Sequence, residues 1–163
     1  MKNLPLPNII DPASVPSLRW GILGAGGIAR TWAGTVLANT EQRITAVASR
    51  TPGKAEEFAK DLGIERSYNS YDELVEQPDI DAIYIASYPS DHKEHALLAI
   101  AAGKHVLVEK PTTMNSGDAA YIFALASAAG VFAMEAMWTR YLPQYDIARQ
   151  LLADGFLGDL DLL

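Results

Sequence analysis

The sequence predicts an α/β protein built on a doubly wound parallel sheet. Six short apolar segments alternate along the chain with segments of helical character, which is the order that repeated βα units produce. The apolar segments are largely continuous rather than alternating, as in strands that helices cover on both faces. A glycine-rich loop follows the first apolar segment, at residues 24–27. These three observations together predict the fold class.

The strand predictions rest on short runs of apolar residues, many of them β-branched. The fourth run, "DAIYIAS", is the most uniformly apolar and is typical of a central parallel strand. In chain order, the six predicted strands are residues 18–23, 43–49, 67–68, 81–87, 105–109 and 131–137.

The helix predictions depend on start and stop signals. Pro52 stands where a first helical turn tolerates proline, and Gly63 follows as the end signal. Ser70 is expected to open the third helix. Asp91 is expected to cap the fourth helix, which Gly103 ends. The predicted helices are residues 27–38, 52–63, 70–76, 92–103, 116–130 and 143–153.

Composition limits the classes of protein to which the chain can belong. A net charge of −7 argues against a nucleic-acid binder, which needs a basic face. The chain has no cysteine, so neither disulfides nor thiolate chemistry are expected. The longest apolar run, residues 96–102, is too short to span a bilayer, and the first seventeen residues lack the apolar run of a signal peptide. We therefore expect a cytoplasmic protein that binds neither nucleic acid nor membrane.

The glycine loop "GILGAGGIA" predicts a dinucleotide site. Gly24, Gly26 and Ala29 have the G-x-G-x-x-A spacing between a strand and a helix. Gly24 permits the tight turn, and Gly26 lets the backbone approach a pyrophosphate at the helix N-terminus. Gly27 and Ile28 lie in the same loop and are counted among the cofactor contacts. A tight βα loop with no ligand is the alternative, but the alternating α/β context favours a Rossmann-type domain.

The second strand indicates which dinucleotide is bound. An NAD site usually has an acid about 20 residues after the glycines, which binds the ribose hydroxyl. Residues 42–55 contain no acid and instead provide Ser49, Arg50 and Lys54. A hydroxyl and two cations suit a 2′-phosphate, so NADP(H) is the preferred cofactor and NAD(H) the alternative. A basic surface turn with no ligand is the competing interpretation.

Several motifs resemble those of the Gfo/Idh/MocA family of oxidoreductases: the glycine loop, "ASRTPGKA", "DAIYIASYPSDHKEHALLAIAAGKHVLVEKP" and "MEAMWTRYLP". The resemblance covers Leu18 to the C-terminus, and "EAMWTRYLP" is most similar to the dihydrodiol dehydrogenase and NADP-dependent sugar dehydrogenase branch. It implies that Lys110 of the E-K-P motif is catalytic, that Glu109 lies near the nicotinamide, and that the bond to Pro111 is cis.

The same resemblance supplies further site residues. His92 matches a family histidine near the cofactor and is the second catalytic candidate, with Ala86 and Tyr88 as cofactor contacts on this edge of the cleft. Family members often carry Thr-Pro or Asn-Pro here, and this chain departs from that pattern. Trp138 and Arg140 match a W-x-R motif whose arginine reaches the cofactor; a packed indole and a helix-capping arginine are the alternative.

The histidines do not indicate a metal site. His92 and His95 are three residues apart on a predicted helix, but no third ligand is evident, so no metal is predicted. His95 and His105 are instead expected at the surface.

The predicted domain organisation has three parts. Residues 1–17 form a proline-rich arm, 18–153 the Rossmann domain, and 154–163 the start of the family's second α/β domain, which is expected to be absent from this chain. Apolar residues between 156 and 163 are expected either to favour self-association or to be disordered at the end of the chain, and the resemblance implies a homodimer.

The expected function is the cofactor-binding part of an NADP(H)-dependent oxidoreductase, which transfers hydride between nicotinamide and a sugar, polyol or dihydrodiol-type alcohol or carbonyl. The chain on its own is expected to be inactive. A non-catalytic NADP(H)-binding sensor and a folded fragment that binds nothing tightly are the alternatives.

Overall fold

The computed structural model describes residues 4–156 and residue 158. Its strands form one parallel sheet in the order β3-β2-β1-β4-β5-β6, which confirms the predicted doubly wound topology. In chain order the strands are β1 (Arg19–Leu23), β2 (Arg43–Ala48), β3 (Arg66–Tyr68), β4 (Ala82–Ile85), β5 (His105–Val108) and β6 (Ala133–Glu135).

The α-helices follow the strands in the predicted order. They are α1 (Gly27–Asn39), α2 (Lys54–Leu62), α3 (Tyr71–Val75), α4 (His92–Ala101), α5 (Ser116–Ala128) and α6 (Pro143–Ala153). Short 3-10 turns lie at Pro12–Ser14, Pro89–Asp91 and Trp138–Tyr141. Among the described residues, no helix is long and apolar enough to cross a bilayer.

One predicted helix start and one predicted helix cap are wrong. Helix α2 begins at Lys54 rather than at Pro52, because Gly53 has a positive φ of 77° that breaks the helical path. Asp91 precedes α4 but its side chain caps nothing, since its carboxylate is bound by Ser90 and Arg50 instead. The other signals are confirmed. Gly63 ends α2 in a left-handed conformation, and Ser70 accepts a hydrogen bond from the Glu73 N–H at the start of α3.

The core lies on both faces of the sheet. On one face, α3, α4 and α5 pack through residues such as Leu74, Ala99 and Ile122. On the other, α1 and α2 pack through residues such as Ala33 and Phe58. The buried strand residues are almost all apolar, which explains why continuous apolar runs identified them in the sequence.

The described chain divides into two compact units. One is Val15–Ala136, which holds the whole sheet and α1 to α5; the other combines the residues up to Ser14 with those from Met137 onward. The domain bounds inferred from the sequence stay a prediction. Of the predicted terminal apolar surface only Phe156 is described, and it is half exposed; the remaining apolar positions lie outside the described residues.

The sheet brings those predicted site residues that follow its strands to one edge. After each of four strands, the next residue donates its N–H to a neighbouring strand: Gly24 to Ala48 O, Ser49 to Tyr68 O, Ala86 to Leu23 O and Glu109 to Ile85 O. The strand exits are therefore held in register at the carboxyl edge, where ligands of doubly wound sheets bind.

Candidate cofactor and active site

The glycine turn forms the floor of the site. Gly24 has a φ of 104°, and a Cβ built on it would lie 2.6 Å from the Ala86 carbonyl oxygen. Only glycine fits there, because the strain and the contact both involve backbone that cannot move aside. A Cβ on Gly26 or Gly27 would meet nothing within 4 Å. Space is therefore open at the start of α1, whose N-cap Gly26 provides no side-chain acceptor for the first-turn N–H groups.

This arrangement fits a pyrophosphate. Free N–H groups and the positive end of the α1 dipole both point toward the space above the glycines. The space continues into a cleft of about 320 Å³. The cleft is lined by Gly24, Ala25, Gly26, Ile28, Ser49, Arg50, Thr51, Lys54, Tyr71, Ala86, Ser87 and Tyr88. Eight of the predicted cofactor contacts thus share one cleft.

The β2 end of the cleft is basic. Ser49 is buried, and its Oγ accepts a hydrogen bond from the Thr51 N–H at 3.2 Å. Lys54 is exposed at the first position of α2 and has no ion-pair partner among the described residues. Arg50 is half exposed and pairs with Asp91, which raises the pKa of its guanidinium. A hydroxyl and two cations therefore lie at this end of the cleft, as predicted.

Tyr71 was not predicted as a cleft residue. Its ring lies under Arg50, with the guanidinium carbon 5.5 Å from the ring centroid, and burial raises the pKa of its hydroxyl. Tyr71 also begins α3, directly after the Ser70 cap. Only that position, close to the end of β3 in the sequence, could have suggested that it reaches the cleft.

The prediction that His95 lies at the surface is wrong. The side chain is 3% exposed, its Nδ1 lies 2.8 Å from Ser87 Oγ, and its ring meets the Tyr71 ring edge-on at 4.6 Å. Burial lowers the pKa of His95. Because α4 packs against the sheet on this side, its fourth residue faces the core rather than solvent. His105 is partly buried, and its Nδ1 accepts the Phe132 N–H.

Glu109 is anchored by both of its carboxylate oxygens. Tyr84, buried in β4, donates its hydroxyl to Oε1 at 2.6 Å, and the Lys110 N–H donates to Oε2 at 3.1 Å. Burial and this carboxylate raise the pKa of Tyr84, which remains a neutral donor at ordinary pH. Stacking of the tyrosine ring on Trp32 at 4.2 Å fixes it further. Glu109 therefore positions the start of the E-K-P loop.

His92 is also held by the backbone. It is 1% exposed, with Nδ1 2.8 Å from Pro111 O and Nε2 3.1 Å from Ser87 O. Both ring nitrogens thus face main-chain carbonyls, and neither is directed to open space. In this geometry His92 links the β4 exit to the E-K-P loop, and its catalytic role stays a prediction.

The E-K-P loop has a further anchor at the end of β6. The Thr112 N–H donates to Glu135 Oε1 at 2.9 Å. The Lys110–Pro111 bond is cis, as the family resemblance implies. Lys110 itself is exposed, and its amine has no partner among the described residues. The loop is therefore fixed around a lysine that is free to meet a ligand.

Two predicted contacts lie in the other compact unit. Trp138 and Arg140 belong to the 3-10 turn Trp138–Tyr141, and both are exposed. Their proposed contact with a cofactor stays a prediction. Within the described part of the chain, no three His, Asp or Glu side chains are grouped to hold a metal ion.

Comparison with known proteins identifies a family whose fold agrees with this structure. Residues 18–137 match the family model GFO_IDH_MocA, described as an oxidoreductase family with an NAD-binding Rossmann fold. Trans-1,2-dihydrobenzene-1,2-diol dehydrogenase of Mus musculus is 43% identical over 147 residues, and the human protein is 40% identical over 146 residues. Each match covers 88% of this chain and 44% of the relative, so the chain spans less than half the length of these proteins.

Solved structures of a dehydrogenase and a ketoreductase have a fold similar to that of this chain. Scyllo-inositol dehydrogenase from Lactobacillus casei, with bound NAD(H) and scyllo-inositol, has a TM-score of 0.80 and 26% identity, over 88% of this chain and 43% of its own. A 3-ketoreductase from Actinomadura kijaniata, in complex with NADP and TDP-benzene, has a TM-score of 0.77 and 32% identity, over 86% of this chain and 43% of its own.

Proposed function

Because this chain belongs to the Gfo/Idh/MocA oxidoreductase family and is an NAD-binding domain related to dihydrodiol and inositol dehydrogenases, we propose that it is the cofactor-binding part of an NADP(H)-dependent oxidoreductase. The proposed reaction moves a hydride between nicotinamide and a sugar, polyol or dihydrodiol-type alcohol or carbonyl. One observation carries the proposal: the open glycine cradle and the free Lys110 lie on the same edge of one sheet.

The preference for NADP(H) rests on the chain's own residues. The scyllo-inositol dehydrogenase from Lactobacillus casei holds NAD(H), and the 3-ketoreductase from Actinomadura kijaniata holds NADP, so the fold accepts either cofactor. In this chain the end of β2 offers Ser49, Arg50 and Lys54 and no carboxylate. Arginine presents several N–H donors in a plane that suits a phosphate, which supports recognition of the 2′-phosphate.

Lys110 is proposed as the catalytic residue. The bound nicotinamide would supply the hydride chemistry, which no side chain provides. Glu109, His92 and Glu135 hold the loop on both sides of Lys110, so its amine is presented from a fixed backbone. That amine would hydrogen-bond the substrate oxygen and transfer the proton that accompanies hydride movement.

Cofactor titration tests the first part of the proposal. The full chain should bind NADPH more tightly than NADH, and Arg50→Glu should weaken NADPH binding by about tenfold or more, since a hydrogen bond between charged groups contributes about 1.5–3 kcal/mol. The matched control is Arg43→Glu, because Arg43 is exposed at the amino-terminal start of β2, away from the cleft. Equal affinity for both cofactors, with no effect of Arg50→Glu, would contradict the NADP(H) proposal.

A hydride-transfer assay tests the second part. In the full-length enzyme, assayed with a panel of dihydrodiols, inositols and sugars, Lys110→Met should lower kcat by about 100-fold or more while NADPH affinity changes little. An unchanged kcat would remove Lys110 from the mechanism. NADPH binding with no turnover of any of these substrates by the full-length protein would favour the non-catalytic binding module.

A further inference from the structure

We propose that Asp91 sets how strongly this chain discriminates between NADPH and NADH, by competing with the 2′-phosphate for Arg50. The inference rests on the proposed NADP(H) site and concerns a residue that sequence reasoning assigned only to helix capping. NAD sites usually have an acid at the end of β2, and this chain has none there. The inference assigns a comparable effect to Asp91, which lies on the connection between β4 and α4.

The Arg50 side chain is already engaged from two directions. Its Nη2 donates to Asp91 Oδ2 at 2.5 Å, and Tyr71 lies under the guanidinium. The Arg50 side chain is 55% exposed and that of Asp91 is 25% exposed, so the carboxylate is the more fixed partner. At least one of the N–H donors that would bind a phosphate is therefore used within the protein.

Local structure explains why Asp91 reaches Arg50, although Asp91 does not itself line the cleft. It ends the 3-10 turn Pro89–Asp91, its N–H bonds to Tyr88 O, and Ser90 Oγ donates to its Oδ1 at 2.8 Å. The Ser90 hydroxyl and then Arg50 lower the pKa of Asp91, so the carboxylate is ionised at neutral pH. A fixed negative charge therefore stands beside the basic end of the cleft.

That charge affects the two cofactors differently. A phosphate monoester carries about −1.5 to −2 at neutral pH, so a 2′-phosphate and Asp91 would share one guanidinium and repel each other. NADH presents a neutral 2′-hydroxyl instead, which can donate to a carboxylate as in NAD sites. Asp91 therefore reduces the advantage of NADPH that Arg50 and Lys54 provide. If the carboxylate only held Arg50 in place, its removal would weaken NADPH binding, which is the opposite result.

The size of the effect follows from the exposure of the pair. Exposed ion pairs are typically worth about 0.2–1 kcal/mol, which corresponds to about 1.4- to 5-fold in affinity. Relief of the repulsion adds to this. Asp91→Asn, which keeps the shape and removes the charge, should tighten NADPH binding by about 3- to 10-fold and change NADH binding by less than about twofold.

The experiment measures NADPH and NADH dissociation constants for the unmodified chain, Asp91→Asn, Arg50→Ala and the double variant. Asp61→Asn is the matched control, because Asp61 forms an exposed ion pair with Arg30 on α1 and does not line the cleft. Thermal unfolding confirms that each variant is folded. Asp91→Asn should have little effect in the Arg50→Ala background, since the two residues act through the same contact.

The possible results separate the two proposals. If Arg50→Ala leaves NADPH binding unchanged, the proposed 2′-phosphate site itself is wrong. If Arg50→Ala weakens NADPH binding while Asp91→Asn leaves it unchanged or weakens it, the NADP(H) site stands and the competition by Asp91 is overturned. An equal gain for NADH and NADPH would also overturn it, because the charge would then not act on the 2′ position.

Discussion

Substitution of the two motif glycines should separate the fold from the cofactor site. At Gly24 the chain has a φ of 104°, and an added Cβ would lie 2.6 Å from Ala86 O and 3.0 Å from Ser87 N. At Gly26 the φ is −94°, and an added Cβ would meet nothing within 4 Å. The first position is restricted by the protein, whereas the second is open unless a ligand occupies it.

The cost of Gly24→Ala can be worked from these distances. A non-glycine residue in a sparsely populated backbone region costs about 1–3 kcal/mol, and overpacking against fixed backbone adds about 1–3 kcal/mol. The sum of about 2–6 kcal/mol corresponds to a decrease in Tm of about 5–20 °C for a chain of this size. Gly26→Ala loses part of a favourable N-cap but restricts the unfolded chain, so its Tm should change by only about 3 °C or less.

NADPH affinity should be more sensitive to Gly26→Ala than to Gly24→Ala, which is the reverse of the order expected for Tm. A methyl group at Gly26 would enter the space assigned to the pyrophosphate, and NADPH binding should weaken by about tenfold or more. The assay is calorimetric or fluorescence titration with NADPH, performed below the Tm of each variant and paired with thermal unfolding. If Gly26→Ala binds NADPH like the unmodified chain, the pyrophosphate does not lie there. If Gly24→Ala has an unchanged Tm, the argument from the tight turn is wrong.

Two further predictions test the loop anchor and an ion pair on the opposite edge of the sheet. In the full-length enzyme, Glu135→Leu should lower kcat more than Glu135→Gln, because the amide oxygen can still accept the Thr112 N–H; equal loss in both variants, measured by steady-state kinetics, would contradict a positioning role. A hydrogen bond from Arg19 lowers the pKa of Asp81 from 3.8 to about 2. Its contribution to folding stability should therefore be complete above about pH 4 and disappear as the pH falls toward 2, and unfolding of Asp81→Asn should lack that pH dependence.

Much of the fold was predictable because the signals are local. Parallel strands buried on both faces are necessarily apolar along their whole length, and such runs as "DAIYIAS" stand out in the sequence. The glycine loop is equally local, since the need for a positive φ at Gly24 is a property of one turn. Helix α2 begins two residues later than predicted, because the positive φ of Gly53 keeps Pro52 out of the helix.

The errors at the site have a different origin. Contacts between Arg50 and Asp91, or Ser87 and His95, join residues from different βα units. Such pairs depend on which helix face meets the sheet, and residue types alone do not fix that. A histidine on α4 is therefore equally compatible with a surface or a buried position until the packing is known. The E-K-P motif was located correctly at the carboxyl end of β5, and the roles assigned to Glu109 and Lys110 stay predictions.

The structure gives the two charges of that motif opposite roles. Glu109 is the first residue after β5, and both of its carboxylate oxygens accept hydrogen bonds within the protein. One bond comes from the buried Tyr84 and the other from the next peptide N–H. Lys110 follows with an exposed amine and no partner within the described residues. A strand exit that served only the fold would gain from pairing the two charges with each other. Here the acid stabilises the loop and the Lys110 amine remains available, as its proposed role in catalysis needs.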